Sequence, residues 1–142
     1  MTLRYRFVPH TADVKFIAYA KTEKELIINC ALAMFETIAD IKKLQKLPKN
    51  KKFKIKVNAQ DMEDLVWKVL QHTLSIAESK NLFCYSFNIS SFRKSNGYKL
   101  SALICAMDKL QTYANLDVKG VSKYQLEFYS KPRLKISVVL DV

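Results

Sequence analysis

Residues 52–57 read Lys-Phe-Lys-Ile-Lys-Val, a strict alternation of cation and apolar side chain. Only an extended strand sends successive side chains to opposite faces, so this segment reads as a half-buried strand with its lysines on the wet face. The segments around it fall into place from there. Leu3 to Val8 alternates apolar and basic residues until Pro9-His10-Thr11 interrupts it. Val14 to Ala20 half-alternates, with Phe16 and Ala18 on the parity of Val14. Late in the chain Phe83, Tyr85, Phe87 and Ile89 alternate, and Asn96-Gly97 follows. That dipeptide is the strongest hairpin signal present, because both positions of a type I′ turn want φ > 0. Tyr98 to Met107 is its partner strand. Val121 to Tyr129 and Leu134 to Leu140 read as a second hairpin about Ser130-Lys131-Pro132-Arg133, and 108–115 as a loop.

Two helices separate these strands. Thr22-Glu23-Lys24-Glu25 is a capping box, followed by Ile27, Cys30, Ala31, Met34, Phe35 and Ile38 at helical spacing. That helix should end near Ala39-Asp40. Asp61 opens the second helix with Asp64 three residues on, and a broad stripe runs from Met62 to Ala77, widened by Trp67 and Leu74. The predicted order is β-β-α-β-α-β-β-β-β. Short turns between the late strands imply antiparallel pairing, with two helices on one face of the sheet. The expectation is one α+β two-layer domain over residues 1–142, with no internal repeat or linker.

The chain is 142 residues long, 49% hydrophobic, with 2 Gly and 3 Pro, which excludes collagen-like and disordered classes. No run reaches the ~18–20 apolar residues of a membrane span. Met1 to His10 lacks the apolar core of a signal peptide. The three cysteines Cys30, Cys84 and Cys105 form no CxxC pair and sit in apolar periodic stretches. They read as reduced, buried thiols, and the compartment as cytoplasm or nucleus. The net charge of +11 is the anomaly, and it suggests a polyanionic partner such as RNA. Its source is narrow, a loop marked by Pro48 and Asn50 and the strand that follows it. Lys42, Lys43, Lys46, Lys49, Lys51, Lys52, Lys54 and Lys56 carry eight positive charges without an acid among them, leaving 16 basic against 13 acidic residues elsewhere. Such a run is most simply a solvated face, and lysines on an exposed strand also discourage edge-to-edge aggregation. Loose attraction of RNA to Lys42–Lys56 is the functional reading.

Two isolated glycines, Gly97 and Gly120, cannot build a phosphate-cradling loop. His10, His72 and the cysteines lack zinc-ligand spacing. The carboxylates offer more. Asp13 stands at the entry of the second strand and Asp141 at the end of the last. If those strands lie side by side and antiparallel, the two acids meet at one edge. With the terminal carboxylate of Val142 they would offer oxygen ligands to a hard cation such as Ca²⁺ or Mg²⁺. The alternative is a pair of solvated strand-end acids.

Several segments resemble the archease family, in order along the whole chain. Phe7-Val8-Pro9-His10-Thr11-Ala12-Asp13-Val14 is similar to its hallmark strand ending in His-Thr-Ala-Asp. Ala31-Leu32-Ala33-Met34-Phe35-Glu36, with Ala39-Asp40 after it, resembles the family's Ala-rich first helix. Asp61-Met62-Glu63-Asp64-Leu65-Val66 resembles its acidic opening of the second helix. Lys119-Gly120-Val121-Ser122 and Val138-Val139-Leu140-Asp141-Val142 resemble its two C-terminal motifs, with Gly120 where the family usually has Ala. Gln111-Thr112 stands where a Lys-His pair is usual.

The resemblance implies a protein cofactor, not an enzyme, for tRNA splicing. Archeases assist the RtcB-type RNA ligase, promoting its guanylylation from GTP and its multiple turnover. Carried over, the activating residues are Asp13, Lys119 and Asp141, and the two aspartates match the family's metal-binding positions. His10 and Asp40, within the matched motifs, are secondary candidates. The competing expectation from the residues alone is a basic tRNA-binding chaperone without ligase activation.

Overall fold

The computed structural model describes residues 3–48 and 51–142; Lys49 and Asn50, which the sequence reading assigns to the basic run and its loop, lie outside the described residues. The chain opens with β1 (Tyr5–Val8) and β2 (Val14–Ala20), then α1 (Glu23–Ile38) and a short α2 (Ile41–Leu44). β3 (Lys51–Ala59) and α3 (Met62–Lys80) follow, then β4 (Leu82–Lys94) and β5 (Tyr98–Asp108). A 3-10 turn at Gln111–Tyr113 leads to β6 (Gly120–Val121), β7 (Glu127–Tyr129) and β8 (Leu134–Asp141).

The local signals are met. Thr22 caps α1 by accepting the Glu25 amide at 3.1 Å, and Asp61 caps α3 by accepting the Asp64 amide at 2.8 Å. α3 ends on Asn81 in the left-handed region, φ 57°. Asn96 and Gly97 both have positive φ, 50° and 104°. Gly97 has a second reason to be glycine: a Cβ there would stand 2.6 Å from the Ala59 carbonyl oxygen.

The α+β class holds, with all ladders antiparallel. The strands divide into two sheets, however, rather than forming the single one expected. One has the order β1-β2-β8-β6, with β7 also on β8; the other is β3-β5-β4. α1 packs against β2 and β8 of the first sheet and β4 of the second, while α3 packs against β3, β4, β6 and β7. One hydrophobic cluster joins both sheets and both long helices, with Phe16, Leu26, Leu65, Leu70, Ile104 and Ile136 fully buried. Burial of so many large side chains, at ~1.5–3 kcal/mol each, supplies the main driving force.

Two further departures have local causes. The segment after α1, expected as loop, makes the turn of α2, whose Leu44 packs with Phe83 and Met107 in a satellite cluster. The strand expected over 121–129 is broken into β6 and β7. Val121 faces Leu140 and Glu127 faces Ser137, so six steps of chain oppose three and the excess loops out. α3 holds the broken edge in place. The Trp67 indole N–H donates to the Val121 carbonyl at 2.8 Å, Gln71 Oε1 accepts the Val121 amide at 3.0 Å, and Glu63 Oε2 accepts the Phe128 amide at 3.0 Å.

Cys30 and Cys84 are buried and free, as expected; burial pushes both thiols up, that of Cys84 to about 12. Cys105 is free but only half-buried. Its partner across the ladder is Lys52, so it shares the outer parity of the lysines and not the core parity.

Candidate functional site

The β2–β8 pairing decides where the strand-end acids lie. Val14 is opposite Leu140, which sets Asp13 and Asp141 at the same end of adjacent antiparallel strands. β6 runs along the other side of β8, with Gly120 opposite Asp141. The Lys119 amide donates to the Asp141 carbonyl at 2.7 Å. β8 is therefore the central strand that gathers Asp13, Lys119 and Asp141 at one sheet end. Asp13 is half-buried, whereas Lys119, Asp141 and Val142 are exposed. None of the three charged side chains forms an ion pair among the described residues.

The approach to Asp13 is a tight turn. Ala12 has φ 67°, and the Asp13 amide donates to the Thr11 carbonyl at 2.8 Å. A hydrogen bond across two residues with positive φ at the centre is a γ-turn of the strained hand. Strain of this kind costs of order 1–3 kcal/mol and persists only where the surroundings over-determine it. Here β2 fixes the chain immediately after the turn.

A cleft of about 460 Å³ opens beside Asp13, lined by Phe7, Val14, Glu36, Thr37, Asn115 and Leu116 among others. A strap from residues 114–119 forms its far wall. The Asn115 and Leu116 amides donate to the Ile38 and Thr37 carbonyls at 2.8 and 3.1 Å, and Asn115 Nδ2 donates to the Glu36 carbonyl at 2.9 Å. These bonds satisfy carbonyls at the α1 C-terminus that the helix leaves open. The Glu36 carboxylate is engaged, accepting the Tyr5 hydroxyl at 3.0 Å. Burial and this hydrogen bond push the Tyr5 phenol well up.

The secondary candidates lie apart in role. His10 is exposed in the β1–β2 loop and has no hydrogen bond or ion pair among the described residues. Asp40 caps α2, accepting the Lys43 amide at 3.3 Å, and pairs with the Lys43 ammonium at 3.8 Å. Sequence reasoning missed Trp67 and Gln71, which fix β6 and with it Lys119. It also missed Glu36 in the cleft wall. Trp67 was visible only as a fringe of the α3 stripe; no spacing signals that its N–H reaches another element.

As a cation site the donor set is sparse. Among the described residues no three His, Cys, Asp or Glu side chains gather around a common point. Two carboxylates at a strand end do not make the six-to-eight-oxygen cage of a protein-ligated Ca²⁺. By donor type and number, two carboxylates match only a hard cation that keeps part of its water or shares its shell with phosphate, as Mg²⁺ commonly does.

Two antiparallel sheets packed on a pair of long helices, with an acidic strand end, define an α+β domain of known type. The Archease protein family (MTH1598/TM1083) matches residues 5–142. An archease of Methanosarcina barkeri is 32% identical over 143 residues, spanning 98% of this chain and 96% of its own. An archease of Pyrococcus abyssi is 27% identical over 131 residues, spanning 91% and 90%. The solution structure of protein 1598 of Methanobacterium thermoautotrophicum superposes with a TM-score of 0.82 at 24% identity, covering 98% and 99% of the two chains. A Thermotoga maritima structure described as an archease and possible chaperone gives a TM-score of 0.63 at 16% identity, covering 95% and 94%. The chain belongs to the archease family. No helix among the described residues is long and apolar enough to cross a membrane.

Proposed function

We propose that the chain is a non-enzymatic cofactor of an RtcB-type RNA ligase in tRNA splicing, acting in the cytoplasm to promote guanylylation of the ligase from its bound GTP. The observation that carries this reading is the shared strand end of β2, β8 and β6. It leaves two carboxylates and one ammonium solvent-accessible and without internal ion pairs among the described residues. Accessible charges of both signs suit a partner site that handles a divalent cation and a triphosphate. Asp13 and Asp141 would hold a partly hydrated cation, which when bound supplies positive charge to phosphate oxygens. Lys119 would engage a phosphate or a carboxylate of the ligase. Val142 continues the chain beside Asp141 at this end.

The test is multiple-turnover ligation of tRNA halves by the cognate ligase. Folded Asp13→Ala and Asp141→Ala proteins should leave the ligase at its unassisted rate. Full support by both variants overturns the proposal.

A second reading is favoured by one observation, the run of exposed lysines on α2 and β3. It makes the chain a tRNA-binding chaperone without ligase activation. Charge reversal within 42–56 separates the two: a chaperone loses function with RNA affinity, and a ligase cofactor keeps activation.

A further inference from the structure

The outer face of the β3-β5-β4 sheet carries a charge pattern that the strand-end site does not use. From Lys52 onward β3 alternates, Phe53, Ile55, Val57 and Ala59 inward and Lys52, Lys54, Lys56 and Asn58 outward. The ladders extend these outward positions into rows across the sheet. Lys54 faces Leu103, which faces Asn88; Lys56 faces Ser101, which faces Ser91; Asn58 faces Lys99, which faces Arg93. The row of Lys52 continues through Cys105 to Ser86. α2 closes one end of this face through Leu44, packed against Phe83 and Met107. Beyond that end every outward residue in these rows is exposed or half-buried.

Five cations stand on this face: Lys52, Lys54, Lys56, Lys99 and Arg93. None forms an ion pair among the described residues, and no carboxylate occupies the rows between them. Protection of an exposed edge explains cations on β3. It does not explain Lys99, which lies on the central strand where no edge is open.

The chemistry between the cations identifies the occupant. Lys52, Lys54 and Lys56 repeat every two residues, ~6.6–6.8 Å along the strand, comparable with the step between successive phosphates of a polynucleotide. Among the neutral positions Ser86, Ser91 and Ser101 carry hydroxyls suited to phosphate and 2′-hydroxyl oxygens, and Asn88 Nδ2 donates within the face to Ser86 Oγ at 3.2 Å and to the Leu103 carbonyl at 3.3 Å. Protein interfaces need buried aromatic or aliphatic anchors, and the rows offer only half-buried Leu103 and Cys105. The rows also hold no aromatic ring on which an unpaired base would stack. We infer that this sheet face docks the phosphate backbone of double-stranded RNA, without reading sequence. The inference stands independently of the ligase reading.

The probe is a labelled RNA hairpin with a stem of about 16 bp, titrated with the full chain by fluorescence anisotropy. Between roughly 50 and 200 mM salt, five contacts give a slope of log K against log salt near −4.5, about 0.9 per phosphate neutralised. Lys54→Glu, Lys56→Glu and Lys99→Glu together should weaken binding at least tenfold and flatten the slope by about 2.7. Lys24→Glu, Lys80→Glu and Lys131→Glu together change the net charge equally and should alter affinity less than threefold. Cys105 reports the location: bound RNA should slow its reaction with a maleimide, while Cys30 and Cys84 stay unreactive because they are buried. Equal weakening by both triple variants, an unchanged Cys105 rate at saturating RNA, or equally tight binding of polyglutamate of matched charge would each overturn the inference.

Discussion

Asp13 and Asp141 are separated by most of the chain and reach the same sheet end because β2 pairs with β8, and Lys119 joins them because β6 pairs with the other side of β8. Lys52, Lys54 and Lys56 share a face simply because any strand alternates. The first region is a product of topology and the second of local periodicity. The difference extends to their supports. The acidic end depends on a strained turn at Ala12 and on α3 side chains that hold β6. The basic face needs only its own ladder. Net charge alone would rank the regions in the opposite order to the proposed function, since the lysines dominate the +11 while the proposed ligase-facing residues are mostly acidic.

If the regions have separate tasks, they should be separable by mutation. The largest effect is expected at the acidic end, where Asp13→Ala with Asp141→Ala should abolish multiple-turnover support and leave affinity for the RNA hairpin within twofold. Conversely, the Lys54, Lys56 and Lys99 reversal should leave ligase activation within about threefold in a saturating assay, an effect at or below ~0.7 kcal/mol. Loss of both functions in either variant would collapse the distinction.

The next effect tests the supports. Trp67→Phe removes the N–H that holds the Val121 carbonyl, which should cost about 1–3 kcal/mol of stability by leaving that part-buried acceptor unpaired. Chemical denaturation would measure it. Activation should fall further than stability explains, because Lys119 immediately precedes β6; the RNA slope should not move.

The smallest effect concerns the departure from the family motif at Gly120. Its φ lies outside the left-handed region, and a Cβ there would meet Asp141 Oδ2 and Gln71 Oε1 at 3.6 Å, an ordinary contact distance. Gly120→Ala should therefore change the melting free energy by less than ~0.5 kcal/mol and leave activation intact. A large loss would mean that the carboxylate of Asp141 needs the space.

What was legible in the sequence follows the same division between local and topological. The β3 alternation, the Thr22 and Asp61 caps and the Asn96-Gly97 hairpin are set by neighbours in sequence, and each is found where expected. The meeting of the β2 start with the β8 end was legible as a conditional, because it required only that these two strands pair antiparallel. The break between β6 and β7 was not, since it depends on Trp67, Gln71 and Glu63 reaching backbone groups more than fifty residues away. The split into two sheets is of the same kind. Cys105 was misread for a different reason: an apolar stretch suggested burial, whereas its parity with Lys99, Ser101 and Leu103 assigns it outward. The γ-turn at Ala12 carries no sequence mark, because alanine rarely takes positive φ.

The central claim is that the acidic strand end, and not the basic face, serves the ligase. The most direct measurement is a guanylylation time course of the cognate ligase with GTP and a divalent cation, with and without this protein. The account predicts clear acceleration by the wild-type chain and by the lysine-reversed chain, and none by the Asp13→Ala, Asp141→Ala chain. An unchanged rate with the wild-type protein, or acceleration that survives loss of both aspartates, would contradict it.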